Sequence, residues 1–295
     1  MHILARSVVG IGLLLGTASA NAADLPVKAR PLPVAPSWTG FYVGVQAGGA
    51  FGDRTVGYTG DPAAAVLLTP DPIFGLPGQQ PVLPHSYHTS GATGGVEAGY
   101  NWQVSPNWLL GVEADFSAGG PKGRGTGTSI LASVPPVTLF QNVTSDQRVD
   151  WWGTVRARAG ALVTPDLLLF GTAGFAYGRV SSSDRESNVS PGPIALNVGN
   201  FGTAFSCTEN TTCFAGSGAT VKTGWTAGGG GEWRFAPHWT LKAEYLYVDL
   251  GRDRVRAIAT AGGTGVFAGF PLASYVADFG RTDFHVVRAG VNYQF

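Results

Sequence analysis

Charge is scarce in this chain: 13% of its 295 residues are Asp, Glu, Lys or Arg, about half the share usual in soluble domains. The 19 basic and 19 acidic residues cancel, so no electropositive field marks a nucleic-acid binder. Methionine occurs once and cysteine twice, at Cys207 and Cys213 in Cys-Thr-Glu-Asn-Thr-Thr-Cys. With no histidine or third cysteine close to that motif, a metal site lacks its ligands. Long apolar runs are missing as well. Past the N-terminal segment, even the best candidate, residues 161–175, is cut by Pro165 and Asp166, so no transmembrane helix is expected.

Glycine and aromatics take up the room, with 44 Gly and 11% Phe, Trp and Tyr. Residues 1–22 carry Arg6, an apolar core from Val8 to Leu15, and small residues at Ala20 and Ala22. That is the layout of a cleaved secretory signal peptide, and its core falls far short of the roughly 20 residues a spanning helix needs. Removing it takes away Arg6 and leaves 18 basic against 19 acidic residues, a formal charge of −1. Export places the cysteines in an oxidising compartment. Cys207 and Cys213 are therefore expected to close a small disulfide loop, worth about 2 kcal/mol in the chain-entropy model. Residues 23–37, with Pro26, Pro31, Pro33, Pro36, Lys28 and Arg30, read as an extended linker.

From Trp38 to Phe295 the dominant pattern is apolar residues alternating with polar or small ones, the period of a strand with two unlike faces. Phe41, Val43, Val45 and Ala47 share a face opposite Tyr42, Gly44, Gln46 and Gly48. The pattern returns in hairpins turning at 104–107, 164–166 and 236–238, each turn holding one proline (Pro106, Pro165, Pro237), and in a last strand from Asp283 to Phe295. Eight strands result. The polar stretches near 52–88, 119–147, 181–221 and 257–282 are expected to be loops. Three tight turns alternating with four long loops predict an all-β, eight-stranded antiparallel up-and-down transmembrane barrel, with turns and both chain ends in the periplasm.

Alternation alone does not distinguish a membrane barrel from a soluble one. Opposite the aromatics, however, stand Glu97, Glu113, Asp115, Asp150, Glu232 and Glu244 together with Arg156, Arg158, Lys222, Arg234, Lys242 and Arg288. Were those charges outside, an eight-stranded lumen would have to hold the Trp, Tyr and Phe rings, which it can hardly do. With the charges inside, they neutralise one another as a salt-bridge network while Gly44, Gly99, Gly111, Gly160, Gly228 and Gly230 make room. Tyr100, Trp102, Trp108, Trp233, Trp239, Tyr293 and Phe295 then form a periplasmic aromatic girdle. The faces of 167–177 stay open, both being apolar or small.

The opening Trp38-Thr39-Gly40-Phe41-Tyr42-Val43-Gly44, preceded by a Pro-rich Ala-Ala-Asp-Leu-Pro segment, and the closing Val291-Asn292-Tyr293-Gln294-Phe295 resemble the OmpA-like outer membrane protein β-barrel domain family, in particular small porin-like and hemin-binding-type surface proteins of alphaproteobacteria. The resemblance implies a place in the outer membrane of a Gram-negative bacterium, among outer-membrane lipids and lipopolysaccharide. It also implies delivery by periplasmic chaperones and the barrel-assembly machinery, for which Val291, Tyr293 and Phe295 occupy the recognition positions. Catalysis is not expected, because His85, His88, His238 and His285 form no Ser/His/acid constellation. No cofactor is required, although His85 and His88, in a first loop, could together hold hemin or a metal ion. The Asn142, Asn188 and Asn210 acceptor patterns are chance matches in Asn-, Ser- and Thr-rich loops. A separate peptidoglycan-binding domain is not expected. Envelope integrity with a plugged lumen is the favoured role; a narrow pore or a hemin-uptake protein is the alternative.

Overall fold

A computed structural model describes residues 37–60, 83–134, 137–189, 191, 194–197, 203–260 and 274–295; the expected signal peptide and all of the linker but Ser37 fall outside them. Every element among the described residues is a strand: β1 Gly40–Gly60, β2 His85–Ser105, β3 Trp108–Ala118, β4 Lys122–Val134, β5 Val137–Thr164, β6 Leu167–Asn188, β7 Ile194–Asn197, β8 Thr203–Cys207, β9 Thr212–Ala236, β10 Trp239–Ala259 and β11 Ser274–Gln294. β1 pairs antiparallel with both β2 and β11, so the sheet closes on itself. The lower half of β5 pairs with β3 and its upper half with β4. β3 and β4 thus form one stave, and the nine-stranded sheet is an eight-stave barrel. Closure is what the environment demands, since an open edge would leave unpaired peptide groups in hydrocarbon. β7 and β8 make a separate small hairpin.

The three tight turns fall at the sequence's turn signals, where Ala236 pairs with Trp239 and Thr164 with Leu167. Outward residues of the periplasmic half are apolar: Val45, Trp108, Leu110, Leu169, Trp233 and Leu241 are each about half exposed. Aromatic rings bound this band twice. On the periplasmic side Tyr293 packs on both Trp239 and Phe295 at 5.1 Å between centroids. On the outer side Trp151 packs on Phe116 at 5.6 Å, and Trp225 on Tyr247 at 5.3 Å. Between the girdles each stave spends about ten residues, which at about 3.3 Å per residue and a tilt near 40° covers roughly 25 Å of hydrocarbon.

The staves are about twice that long, and their outer halves lie beyond the membrane. The stretch near 119–147, expected to be a loop, is a hairpin of β4 with the upper part of β5. β1, β2, β6, β9, β10 and β11 likewise run into the other expected loops. The order of short turns and long connections stands, but the connections are shorter. Beyond the lipid, outward positions need not be apolar, so the contrast that identifies a strand in sequence fades there.

The two halves meet at a ring of irregularities. Gly119 takes φ +75° between β3 and β4, Gly251 φ +80° and Gly280 φ +68°, left-handed conformations that glycine adopts without penalty. The register slips between Val149 and Trp151, between Asp249 and Arg254, and between Phe51 and Gly57. These are bulges, which bend a strand and increase its twist. Two are fixed by carboxylates: Asp249 accepts from the Gly251 amide at 2.8 Å and Asp278 from the Gly280 amide at 2.9 Å.

Cys207 and Cys213 form a disulfide. It packs with Phe214 and Tyr275 in an apolar cluster at the outer end.

Candidate functional site

The lumen is filled from bottom to top in layers. Its periplasmic floor is Trp38, Leu109, Leu168 and Phe170. Trp38 is almost fully buried; its backbone amide donates to Gln103 Oε1 and its Nε1 to the Pro165 carbonyl, each at 3.0 Å. Arg234 covers the indole at 4.2 Å and donates to Gln294 Oε1 and the Ser37 carbonyl, each at 3.0 Å. The position expected to join the acid–base network thus belongs to the floor. Leu168 and Phe170 also settle the faces of β6: even-numbered positions point in, while Leu169 and Phe175 point to lipid.

Above the floor five carboxylates meet four cations. Arg156 is fully buried and touches three acids: Glu113, Glu244 at 2.9 Å and Asp115 at 3.0 Å. Arg288 closes the ring, its Nη2 reaching Asp115 at 2.9 Å and Glu244 at 2.6 Å. Arg158 pairs with Glu232 and donates to Tyr42 Oη at 3.1 Å, and Tyr42 donates to Glu113 at 2.6 Å. Lys242 Nζ stands 2.6 Å from Glu97, 2.9 Å from Glu113 and 3.2 Å from Glu244. The oxygens of those three glutamates lie within 4.8 Å of one another, close enough to hold a metal ion, but the lysine ammonium takes that place. Small residues make the room. A Cβ on Gly230 would meet Glu244 Cβ at 2.8 Å, and one on Gly99 would strike the Tyr42 ring.

Nine of the expected network residues are brought together here: Glu97, Glu113, Asp115, Arg156, Arg158, Glu232, Lys242, Glu244 and Arg288. Asp150 is not. It stands outside, paired with Arg148 at 2.8 Å and Arg179 at 3.6 Å. The bulge between Val149 and Trp151 inserts one residue, and a slip of one exchanges the two faces of a strand. Lys222 sits higher, 2.9 Å from Asp253.

Over the charges lies an apolar seal of Trp152, Phe284, Leu246, Val248, Leu250, Val286, Val180 and Val149, with Ala50 and Ala176. Trp152 is fully buried, meets Phe284 edge-on at 5.6 Å and donates to Thr93 Oγ1 at 3.1 Å. A polar tier follows, in which Arg54 donates to Gln147 at 2.6 Å and Ser182 to Asp253 at 2.5 Å.

The outermost chamber, beyond the membrane, holds two buried acids, Asp184 and Glu186. Ser145 and Tyr275 donate to Asp184 at 2.5 and 2.6 Å, and Tyr58 at 3.3 Å. Burial still raises its carboxyl above the usual range, against those donors. Glu186 is pushed up to about 8, first by burial and then by the charge of Asp184. A carboxyl with a raised folded-state pKa favours the fold when protonated. Its contribution is complete below the ordinary 4.5 and is lost as pH rises through about 8. Glu186→Gln should flatten the fall in stability between about pH 5 and about pH 9, read as the shift of the urea midpoint. An unchanged slope would refute the assignment.

His85 and His88 do not converge. Both belong to strand β2, where residues three apart face opposite ways. His85 turns inward beside Tyr58, 3.4 Å from its hydroxyl, and burial lowers its pKa. His88 is 94% exposed on the outer face and pairs with Asp53. The expected joint ligand pair does not form. The residues that sequence reasoning missed are Trp38, Trp152 and Asp184. Trp38 was legible only as the start of a strand, and the other two depend on register across staves.

The family model for the outer membrane protein beta-barrel domain matches residues 11–295. The 31 kDa outer-membrane immunogenic protein of Brucella melitensis is 32% identical over 283 residues, covering 94% of each chain. The 22 kDa outer membrane protein of Rhizobium leguminosarum bv. viciae is 34% identical over 125 residues, 42% of this chain and 50% of the relative. Among solved structures, the outer membrane protein OprG of Pseudomonas aeruginosa aligns with a TM-score of 0.39 at 11% identity, over 88% of this chain and 99% of that one.

Proposed function

Because the chain belongs to the outer membrane protein beta-barrel domain family and is a Gram-negative outer-membrane barrel, we propose that it acts as a sealed, non-conducting and non-enzymatic element of the envelope that displays its long outer hairpins at the cell surface. The observation that carries this reading is the apolar seal around Trp152 and Phe284, stacked above a charge layer in which Arg156 and Lys242 are paired with carboxylates. An eight-stranded lumen is just wide enough for side chains to fill. Here they meet across it: Arg156 on β5 reaches Glu244 on β10, and Lys242 on β10 reaches Glu97 on β2.

A pore would need water along the whole axis, and the seal interrupts it. Liposomes carrying the refolded protein should swell in small neutral solutes no faster than protein-free liposomes; faster swelling would contradict the seal. The opposed faces of His85 and His88 likewise argue against hemin held between them. A hemin titration of the refolded protein should leave the Soret band of free hemin unshifted, and a saturable shift abolished by His88→Ala would revive that alternative.

A further inference from the structure

The outward face of β4, β5 and β6 changes chemistry abruptly above the Trp151 and Tyr177 rings. Lys122, Arg124, Arg148, Arg179 and Arg185 stand there against two carboxylates, Asp146 and Asp150. Five cations less two anions leave a local charge of +3. The acids lie beneath the arginines. Asp146 and Asp150 are 28% and 24% exposed, whereas their partners Arg124, Arg148 and Arg179 are 68%, 66% and 52% exposed. A carboxylate so placed orients a guanidinium without covering its outer N–H groups. Among the described residues, Lys122 and Arg185 make no ion pair. An open cleft of about 890 Å³ runs through the patch, lined by Lys122, Arg124, Arg148 and Arg185, by Ser183 and Ser217, and by the carboxylate Asp146.

Planar guanidinium forks with nearby hydroxyls suit a phosphate, which takes two N–H donors side by side. The height of the patch identifies which phosphate. Arg179 is paired in register with Trp151, and Lys122 with Arg148. Arg148 lies three residues beyond Trp151, roughly 10 Å along the strand. Trp and Tyr rings settle at the boundary between hydrocarbon and headgroups, so Arg179, Lys122 and Arg148 sit at headgroup depth, while Arg124, in register with Asp146, and Arg185, in register with Thr144, stand farther out along the strands. We propose that this patch binds the phosphate groups of a phosphorylated glycolipid in the surrounding outer leaflet. The site goes beyond the sealed lumen and does not depend on it, since a conducting barrel would present the same face.

The test uses the full chain refolded in neutral micelles and titrated by native mass spectrometry with bisphosphorylated lipid A, with the same lipid after phosphatase treatment, and with inorganic phosphate alone. The expected result is binding of the phosphorylated lipid at least about tenfold tighter than of the dephosphorylated one, from headgroup-level cations, undiminished by a large excess of inorganic phosphate. The triple variant Arg148→Gln, Arg179→Gln, Arg185→Gln should lose that preference while keeping the heat-modifiable mobility of a folded barrel. Equal binding of the two lipids would overturn the proposal. Displacement by inorganic phosphate would overturn it in favour of a soluble-anion site, and a folded triple variant that binds as the parent does would overturn the assignment of residues.

Discussion

Arg156→Met should destabilise the barrel by about 3–5 kcal/mol, the range for breaking a buried ion pair by removing one partner. Arg156 is fully buried, and among the described residues it is the one group that touches Glu113, Asp115 and Glu244 together. Methionine fills much of its volume but leaves those carboxylates with Lys242, Arg158 and Arg288 as their cations. The loss would therefore measure uncompensated charge rather than the worth of the ion pairs themselves. That difference can be tested. Neutralising Glu244 as well, in Arg156→Met with Glu244→Gln, should recover part of the stability, a coupling expected of side chains in one network. Arg156→Lys should fall between, because a single ammonium on a shorter reach replaces the two guanidinium nitrogens that Arg156 directs separately at Asp115 and Glu244. The readout is the urea midpoint of the folded, heat-modifiable band in lipid vesicles. Equal midpoints for the parent protein and Arg156→Met would remove the network as a source of stability.

Trp152→Ala is expected to cost about 3–5 kcal/mol, the usual range for truncating a buried Trp. The indole bridges two layers, meeting Phe284 on one side and the Arg288 guanidinium, 5.4 Å from its ring centroid, on another. Alanine would leave a void in the seal and Thr93 without its indole donor. Trp152→Phe should cost less, about 1 kcal/mol, since it keeps most of the packing and loses one hydrogen bond. Trp225 supplies the contrast. It is about half exposed on the lipid face, so truncation there removes contact with hydrocarbon chains that can refill the space. Trp225→Ala should move the midpoint much less. If both tryptophans respond alike, the inner and outer faces have been misassigned.

These effects separate what the sequence could reveal from what it could not. Inside the membrane every residue answers to one of two environments, so alternation exposes the strands, and charge opposite aromatics exposes the lumen; Glu113, Arg156 and Lys242 could be placed on that basis. Asp150 could not, because a single inserted residue at the bulge reverses its face. Arg234 faces the lumen as expected but packs on Trp38 in the floor, apart from the charge network, since height depends on how staves are staggered. The outer half of the barrel resembles loop in sequence because no lipid enforces apolar positions there. Along β5, Arg148 and Asp146 point outward where Val155 does lower down. His85 and His88 could converge on a loop, but on strand β2 their three-residue spacing sends them to opposite faces. The expected signal peptide and nearly all of the expected linker lie outside the described residues.

Planar-bilayer recording of the refolded protein, with insertion verified by the heat-modifiable band, tests the sealed lumen most directly. The layers of Trp38, Arg156 and Trp152 predict a baseline free of discrete steps at every voltage the bilayer tolerates. Stable, reproducible conductance steps from the unmodified chain would contradict it.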